Sequence, residues 1–245
     1  MLQLDYRSFA DIPSIVIENQ EKPSKGIVFA YHGWTNSKDT LVELGVEIAK
    51  HHLLVIMPDA YQHGQRQTVS DQEQNFIETL WFTSHEFLSI LKEVQDQWGN
   101  DLPVYVAGIS MGAILSGMLF HDYDFIQKAG ILMGTLHLRD FLNELSHTYA
   151  RQDIETSLKA GNIPSSLLSS DLSADIDHIE KRQLYIWHSK NDSVVPFDLT
   201  ATFVEQAKQA GYTDNIHFEI ADNEGHRVPH AIKKACAEFL SKTSE

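Results

Sequence analysis

The sequence has one cysteine, no run of apolar residues long enough to cross a bilayer, and few basic side chains for its size. Each shortage excludes something. A single cysteine, Cys236, allows no intrachain disulfide, so the chain is not a small disulfide-stapled scaffold and suits a reducing compartment, with the cytoplasm as default. At 245 residues it needs no such staple, because a chain of this length buries roughly 70 to 75% of the surface that its unfolded form exposes. No stretch approaches the roughly 20 apolar residues of a membrane span, and the first residues, MLQLDYRSFADIPS, lack the basic and apolar regions of a signal peptide. Neither membrane insertion nor secretion is expected. Lysine and arginine number 19 against 34 aspartate and glutamate, a formal net charge of -15 with no basic cluster, so nucleic acid and anionic membranes are poor partners. Internal repeats and low-complexity tracts are also missing, which leaves one globular domain, 1–245, as the economical reading.

What is present is an alternation of apolar runs with helical patterns. After two short extended segments, LQLDY and SIVIE, the runs are KGIVFAYHG (25–33), HLLVIMPDA (52–60), LPVYVAGIS (102–110), AGILMG (129–134), QLYIWHS (183–189) and NIHFEIAD (215–222). Unbroken apolar strands of this kind are buried on both faces. Between them, Phe76, Leu80, Phe87, Leu91, Val94 and Trp98 step by three, four or seven, which puts them on one helical stripe. The alternation predicts an α/β fold, a doubly wound and mainly parallel sheet with helices on both faces. Residues 136–181 are longer than one crossover requires, so they are expected to form a small helical cap insertion.

Gly108-Ile109-Ser110-Met111-Gly112 is a G-x-S-x-G directly after a strand and before a helical stretch, the context in which a strained turn lifts a serine hydroxyl above the sheet. Such a nucleophile needs a base, and the base an orienting carboxylate. Asp192 follows the run QLYIWHS, 82 residues after the serine, and His226 follows NIHFEIAD, 34 residues later. Each also has a plain reading: a glycine-rich turn for the serine, a turn residue in Asn-Asp-Ser for Asp192, one surface histidine of 13 for His226. Their common location after strands, at the carboxyl edge where ligand crevices form, favours a catalytic constellation of Ser110, Asp192 and His226. An oxyanion hole would take its two backbone N–H groups from Trp34, in Tyr31-His32-Gly33-Trp34, and from Met111. His32, before a glycine at a strand end, reads more readily as a residue that bonds its own loop than as a base. His32, Gly33, Tyr61, His63, Leu142 and Leu145 are the candidates to line the substrate pocket. Asp59, Tyr61, His63 and Arg66 form a polar loop that is either pocket wall or solvated surface. His226 and His230 stand four apart, but Pro229 intervenes and no third ligand accompanies them, so no metal site is expected.

Taken in order, YHGWTNSKD, VIMPDAYQHGQR, GISMG, LYIWHSKNDSVVP and EGHRVP resemble the prolyl-oligopeptidase-like branch of the α/β-hydrolase superfamily, and within it the small bacterial carboxylesterases of the YjfP type. The resemblance runs from Lys25 to the C-terminal helix. It implies esterase activity on short acyl esters, a small-molecule substrate and no cofactor, with Ser110 as nucleophile, His226 as base, Asp192 as acid, and Trp34 and Met111 as oxyanion donors. The chain departs from the pattern at Trp34, where phenylalanine is commoner, and at Ser189, where glycine often follows the histidine of this strand. A thioesterase or small peptidase would use the same three residues, although a peptidase of this branch usually carries a propeller domain for which 245 residues leave no room. A binding protein on a hydrolase scaffold is the rival from another class.

Overall fold

The computed structural model describes residues 1–71, 75–148 and 164–242. Its centre is an eight-stranded sheet in the order β1-β2-β4-β3-β5-β6-β7-β8: β1 Leu2–Phe9, β2 Ile12–Asn19, β3 Ile27–Tyr31, β4 Leu54–Pro58, β5 Val104–Ile109, β6 Ile126–Leu132, β7 Gln183–Ser189 and β8 Ile216–Ala221. The six strands from β3 onward pair in parallel, while β1 and β2 form an antiparallel hairpin whose second strand joins β4 antiparallel. Ala10 and Asp11 both have positive φ, the backbone that lets a two-residue turn follow the twist of its strands.

Among the described residues the helices are α1 Val42–Ala49, α2 Phe76–Trp98, α3 Met111–Asp122, α4 Leu138–Thr148, α5 Ser165–Ser169, α6 Phe197–Gln209 and α7 His230–Ser241. Strand alternation divides the core. In β3, Val28 and Ala30 face a cluster with Leu44 and Ile48 of α1 and with Ala237 and Leu240 of α7, whereas Ile27, Phe29 and Tyr31 face Leu80 and Phe87 of α2 and Ile114 of α3. α2 begins where the Asn75 side chain accepts from the N–H groups of Ile77 and Glu78, and ends at Gly99, whose φ of 103° suits a residue without Cβ. Its fully buried Phe87 meets Phe29 edge to face at 5.1 Å, a burial that contributes about 1.5 to 3 kcal/mol.

One strand differs from the sequence reading. The fourth parallel strand starts at Ile126 rather than Ala129, because Lys128 masks its apolar run. That lysine is buried, and its ammonium donates to the carbonyls of Phe239 and Lys242 at the end of α7. Cys236, also on α7, is completely buried, and its sulfur lies 2.5 Å from where a Cβ on Gly130 would stand. Of the segment 136–181, residues 149–163 lie outside the described residues. In the rest, Leu138, Leu142, Leu167, Leu172 and Ile179 join the same core as α2 and α3. No helix among the described residues is long and apolar enough to cross a membrane.

Candidate active site

The carboxyl ends of β5, β7 and β8 bring three side chains together. Ser110 sits between β5 and α3 with φ 57° and ψ -118°, a backbone that costs a non-glycine residue on the order of 1 to 3 kcal/mol. Its N–H donates to Leu132 O at 2.9 Å, and its carbonyl accepts from Ala113 and Ile114, so the turn is fixed from both sides. The flanking glycines are required by close approach. A Cβ on Gly108 would stand 2.0 Å from the Gly112 carbonyl oxygen, and one on Gly112 2.0 Å from that of Tyr31.

Ser110 Oγ lies 2.9 Å from His226 Nε2, and His226 Nδ1 lies 2.9 and 2.8 Å from the two carboxylate oxygens of Asp192. Because Nδ1 faces a carboxylate it carries the ring proton, which leaves Nε2 as acceptor for the serine hydroxyl. The Asp192 side chain is fully buried, which by itself raises its pKa. Hydrogen bonds from His188, His226 and the Val194 amide outweigh burial and hold the carboxyl well below the usual range. Val194 and Val195 N–H both donate to Oδ1, at 2.8 and 3.0 Å. The Ser189 hydroxyl, at the position noted as a departure, clamps the two loops. It donates to Asn191 Oδ1 and accepts from Glu224 N, while Asn191 Oδ1 also receives Gly225 N. Asn191 went unmarked in the sequence because its acceptor role is toward Gly225 N, 34 residues away, and Ser189 was noted only as a departure because its bond from Glu224 N spans 35. Asp222, the neighbouring carboxylate, instead pairs with Lys190 at 2.7 Å on the surface.

Gly33 approaches the serine closely, with a Cβ built there 3.6 Å from Ser110 Cβ. The loop that follows is held by buried polar groups. His63 Nδ1 donates to Tyr61 O and its Nε2 accepts from Thr35 N, while its ring meets Trp34 at 5.0 Å. Asp59, completely buried, accepts from Lys38 N at 2.9 Å, from the buried Lys38 Nζ at 2.7 Å and from Gln65 N at 2.9 Å. Arg66 adds a bond to Asp59 O and pairs with Glu86. The polar loop 59–66 is buried at Asp59 and His63 and partly exposed at Tyr61 and Arg66, and it braces the segment that carries Trp34. Met111 opens α3, so its N–H has no acceptor within the helix and points out of the helix end beside Ser110.

Two cavities open on Ser110. One of about 260 Å³ is lined by Trp34, Phe76, Met111, Ile114, Phe141, Leu145, Val194 and Val195 and is almost wholly apolar. The other, about 430 Å³, has Gly33, Asn36, Thr40, His226, Arg227 and Lys233 among its walls. Four pocket candidates need correction. His32 is fully buried, with Nδ1 donating to Gly33 O and Nε2 accepting from Ala60 N. Burial pushes its pKa down to about 4, so it is a neutral strut rather than a wall. His63 is spent on its loop as described. Tyr61 stacks on Phe82 at 4.4 Å, away from both cavities. Leu142 is core, completely buried in the same cluster as Leu138 and Phe141, while of the α4 residues Phe141 and Leu145 also line the apolar cavity. Gly33 lies in the wall of the wider cavity and Leu145 in that of the apolar one, beside Phe141.

His230 bonds Glu43 at 2.8 Å while His226 faces Ser110 and Asp192, so the two do not converge on a metal. Among the described residues, His121, Asp175 and His178 hold ligand-type atoms near one another. The rings of the two histidines stack 4.3 Å apart and only 22° from parallel, so their in-plane lone pairs run side by side rather than meeting.

The chain is similar to the putative esterase YitV of Bacillus subtilis (strain 168), 25% identical over 243 residues with 94% of this chain and 95% of that one covered. It is likewise similar to esterase YjfP of Escherichia coli (strain K12), 24% identical over 246 residues with 98% of each covered. Among solved structures, TT1662 from Thermus thermophilus superposes with a TM-score of 0.76 at 16% identity, over 98% of this chain and 97% of that one, which shows a shared fold. The Pyrococcus furiosus esterase Pf2001 does so at 0.66 and 18% identity, over 98% and 90%. The Hydrolase_4 family, described as serine aminopeptidase S33, matches residues 22–184, a stretch that contains the Ser110 turn and stops before Asp192 and His226. By that match over most of its length, and by its sheet, the chain belongs to the Hydrolase_4 family of α/β-hydrolases.

Proposed function

We propose that the protein is a carboxylesterase-type serine hydrolase that cleaves short-chain acyl esters through an acyl-enzyme on Ser110. The observation that carries this reading is the continuous line from Ser110 Oγ through His226 to a buried, ionised Asp192, with every step at 2.8 to 2.9 Å. His226 Nε2 takes the hydroxyl proton as Ser110 Oγ bonds to the ester carbonyl carbon, and Asp192 stabilises the imidazolium that forms. The N–H groups of Trp34 and Met111 receive the developing oxyanion. Collapse breaks the bond to the alkoxy oxygen, which leaves as alcohol with the proton from His226. Water, deprotonated by the same nitrogen, then releases the acid and restores Ser110. No cofactor enters these steps.

The acyl chain suits the 260 Å³ apolar cavity and the alcohol the wider one. The smaller volume lies below the roughly 300 to 1,000 Å³ of sites for drug-sized ligands, which favours acyl groups of about two to six carbons. Phe141 and Leu145 bring α4, within the segment 136–181, to that cavity, which supports reading this segment as a cap that sets chain length. The family description names an aminopeptidase, but a peptide's free ammonium would need a carboxylate beside the serine. Among the described residues, those lining the two cavities at Ser110 include none. The test is a kcat/KM series on p-nitrophenyl esters and on aminoacyl p-nitroanilides, with fluorophosphonate labelling of wild type and Ser110→Ala. Rapid turnover of acetate to hexanoate esters is expected, with labelling only where Ser110 is present. Preferential cleavage of the anilides, or an unlabelled wild type, would overturn the reading.

A further inference from the structure

Asp192 has a second histidine behind it. His188, near the end of β7, is completely buried and engaged at both ring nitrogens. Nδ1 lies 2.9 Å from the Thr200 hydroxyl, which is itself 2.9 Å from the carbonyl of Gly134. Nε2 lies 3.0 Å from the carbonyl of Val195 and 3.3 Å from Asp192 Oδ2. A carbonyl and a carboxylate offer only lone pairs, so Nε2 must bear a proton. This holds whichever way Thr200 turns its own hydrogen. If the hydroxyl donates to Gly134, then Nδ1 is protonated as well; if it donates to Nδ1, then His188 is the neutral tautomer with its proton on Nε2. In either arrangement an N–H points at the side of Asp192 that faces away from the backbone amides.

We infer that His188 is a positioning residue for the acid: its Nε2–H, shared between Val195 O and Asp192 Oδ2, holds the carboxylate against His226 and draws charge away from it. This rests on the reading of Ser110, His226 and Asp192 as the catalytic groups. Oδ1 takes two backbone amides besides His226, whereas among the described residues Oδ2 meets the two imidazoles, so without His188 that end of the carboxylate would answer to His226 alone. The same ring reaches the serine turn from behind. Thr200 bonds Gly134, where a Cβ would stand 3.1 Å from Ser110 O, so acid loop and nucleophile turn share one strut. The titratable groups facing His188 are Asp192 and, beyond it, His226. α6 gives the ring Thr200 and an edge contact from Phe197 at 5.9 Å, while its Asp198 is exposed. Lys190 and Arg227 on the neighbouring loops pair outward with Asp222 and Glu224.

The test uses the full chain and p-nitrophenyl acetate. His188→Phe keeps the ring volume without an N–H, and His188→Gln keeps a donor near Nε2. For His188→Phe, kcat is expected to fall about 10- to 100-fold, as for other residues that orient an active-site ligand, with KM within about twofold. Because Asp192 then presents more negative charge to His226, the acid limb of kcat/KM should move to higher pH by about 0.5 to 1 unit. His188→Gln should recover most of both. A lowered Tm with an unmoved limb would mean that His188 only fills space, and that outcome, like a limb displaced to lower pH, overturns the inference. Should His188→Phe fail to fold, nitrogen-15 NMR of wild type decides, with the His188 signals identified by their loss in His188→Gln: a protonated Nε2 supports the inference and a bare one overturns it. Fluorophosphonate labelling separates the two levels. A labelled wild type with an unmoved limb defeats the role of His188 alone, whereas an unlabelled wild type defeats the catalytic reading beneath it.

Discussion

Asp59→Asn perturbs a pair that touches no substrate yet supports the loop carrying Trp34. The change keeps the side chain's shape and removes its charge, leaving the Lys38 ammonium, 1% exposed, without its partner at 2.7 Å. Breaking one side of a buried pair costs about 3 to 5 kcal/mol. Asp39, 3.7 Å from the same ammonium and half exposed, offers a second partner and sets the expectation near the lower end. In a chain of this size each kcal/mol moves Tm by about 2 to 4 °C, so Asp59→Asn should melt roughly 6 to 20 °C below wild type. Adding Lys38→Met removes the orphaned charge and leaves the amides of Lys38 and Gln65 to share one Asn oxygen where two carboxylate oxygens had served them. The residual cost of one unsatisfied donor is about 1 to 3 kcal/mol, so the double variant should regain roughly 2 kcal/mol. Thermal and urea unfolding of the four proteins of the cycle measure this directly, and ester turnover well below each Tm reports whether the Trp34 loop has loosened. A melting point lowered by less than about 2 °C for Asp59→Asn, or a double variant less stable than that single one, would refute the argument.

Ser110→Ala should lower ester hydrolysis on the order of 10⁴-fold or more while leaving the fold intact, and a variant retaining a tenth of wild-type kcat would remove Ser110 from the chemistry. Asp192→Asn should cost up to roughly 10⁴-fold in kcat, because the carboxylate fixes the His226 tautomer; near-normal turnover would defeat its role. The folded-state pKa of Asp192 is depressed, so the stability that it contributes is present above the ordinary carboxylate range and is lost only as pH falls through and below that range. Activity should therefore fail on the acid side, as His226 takes up a proton, while Tm is still high, and loss of fold at the same pH as loss of activity would contradict this. Phe141→Ala and Leu145→Ala should raise kcat/KM for octanoate relative to butyrate esters, whereas Leu142→Ala should leave the ratio alone and cost about 2 to 5 kcal/mol in unfolding free energy. A changed ratio in Leu142→Ala would show that the register assigned to α4 is wrong.

The residues whose surroundings are local were legible from the chain alone. G-x-S-x-G announced a strained turn because the glycines answer to contacts within one strand-turn-helix unit, and Asp192 and His226 followed from counting the strands that precede them. What escaped depends on partners distant in sequence. Hydropathy assigns Lys38 and Lys128 to solvent, yet one is buried against Asp59 and the other against the end of α7. His32 looked available for substrate because its acceptor role is toward the amide of Ala60, 28 residues away. Apolar residues at 138, 141, 142 and 145 announce an amphipathic α4 but form two adjoining rows, and only the packed molecule decides which row reaches the cavity.

The sole thiol makes the molecule its own reporter of global opening. Cys236 lies sealed between α7 and Gly130, and burial, with Glu219 as a lesser cause, pushes its pKa up to about 12. A thiol so protonated and enclosed is inert toward alkylating reagents and mild oxidants while the helix stays docked, so these reagents should not compete with serine-directed inhibitors. Reaction can proceed only through openings that lift α7 from the sheet. When reclosing outpaces chemistry, the labelling rate at Cys236, divided by that of a free model thiol, gives the equilibrium constant for that opening under native conditions without denaturant. One reagent and one mass shift would thus measure how often α7 comes away from the sheet in the native protein.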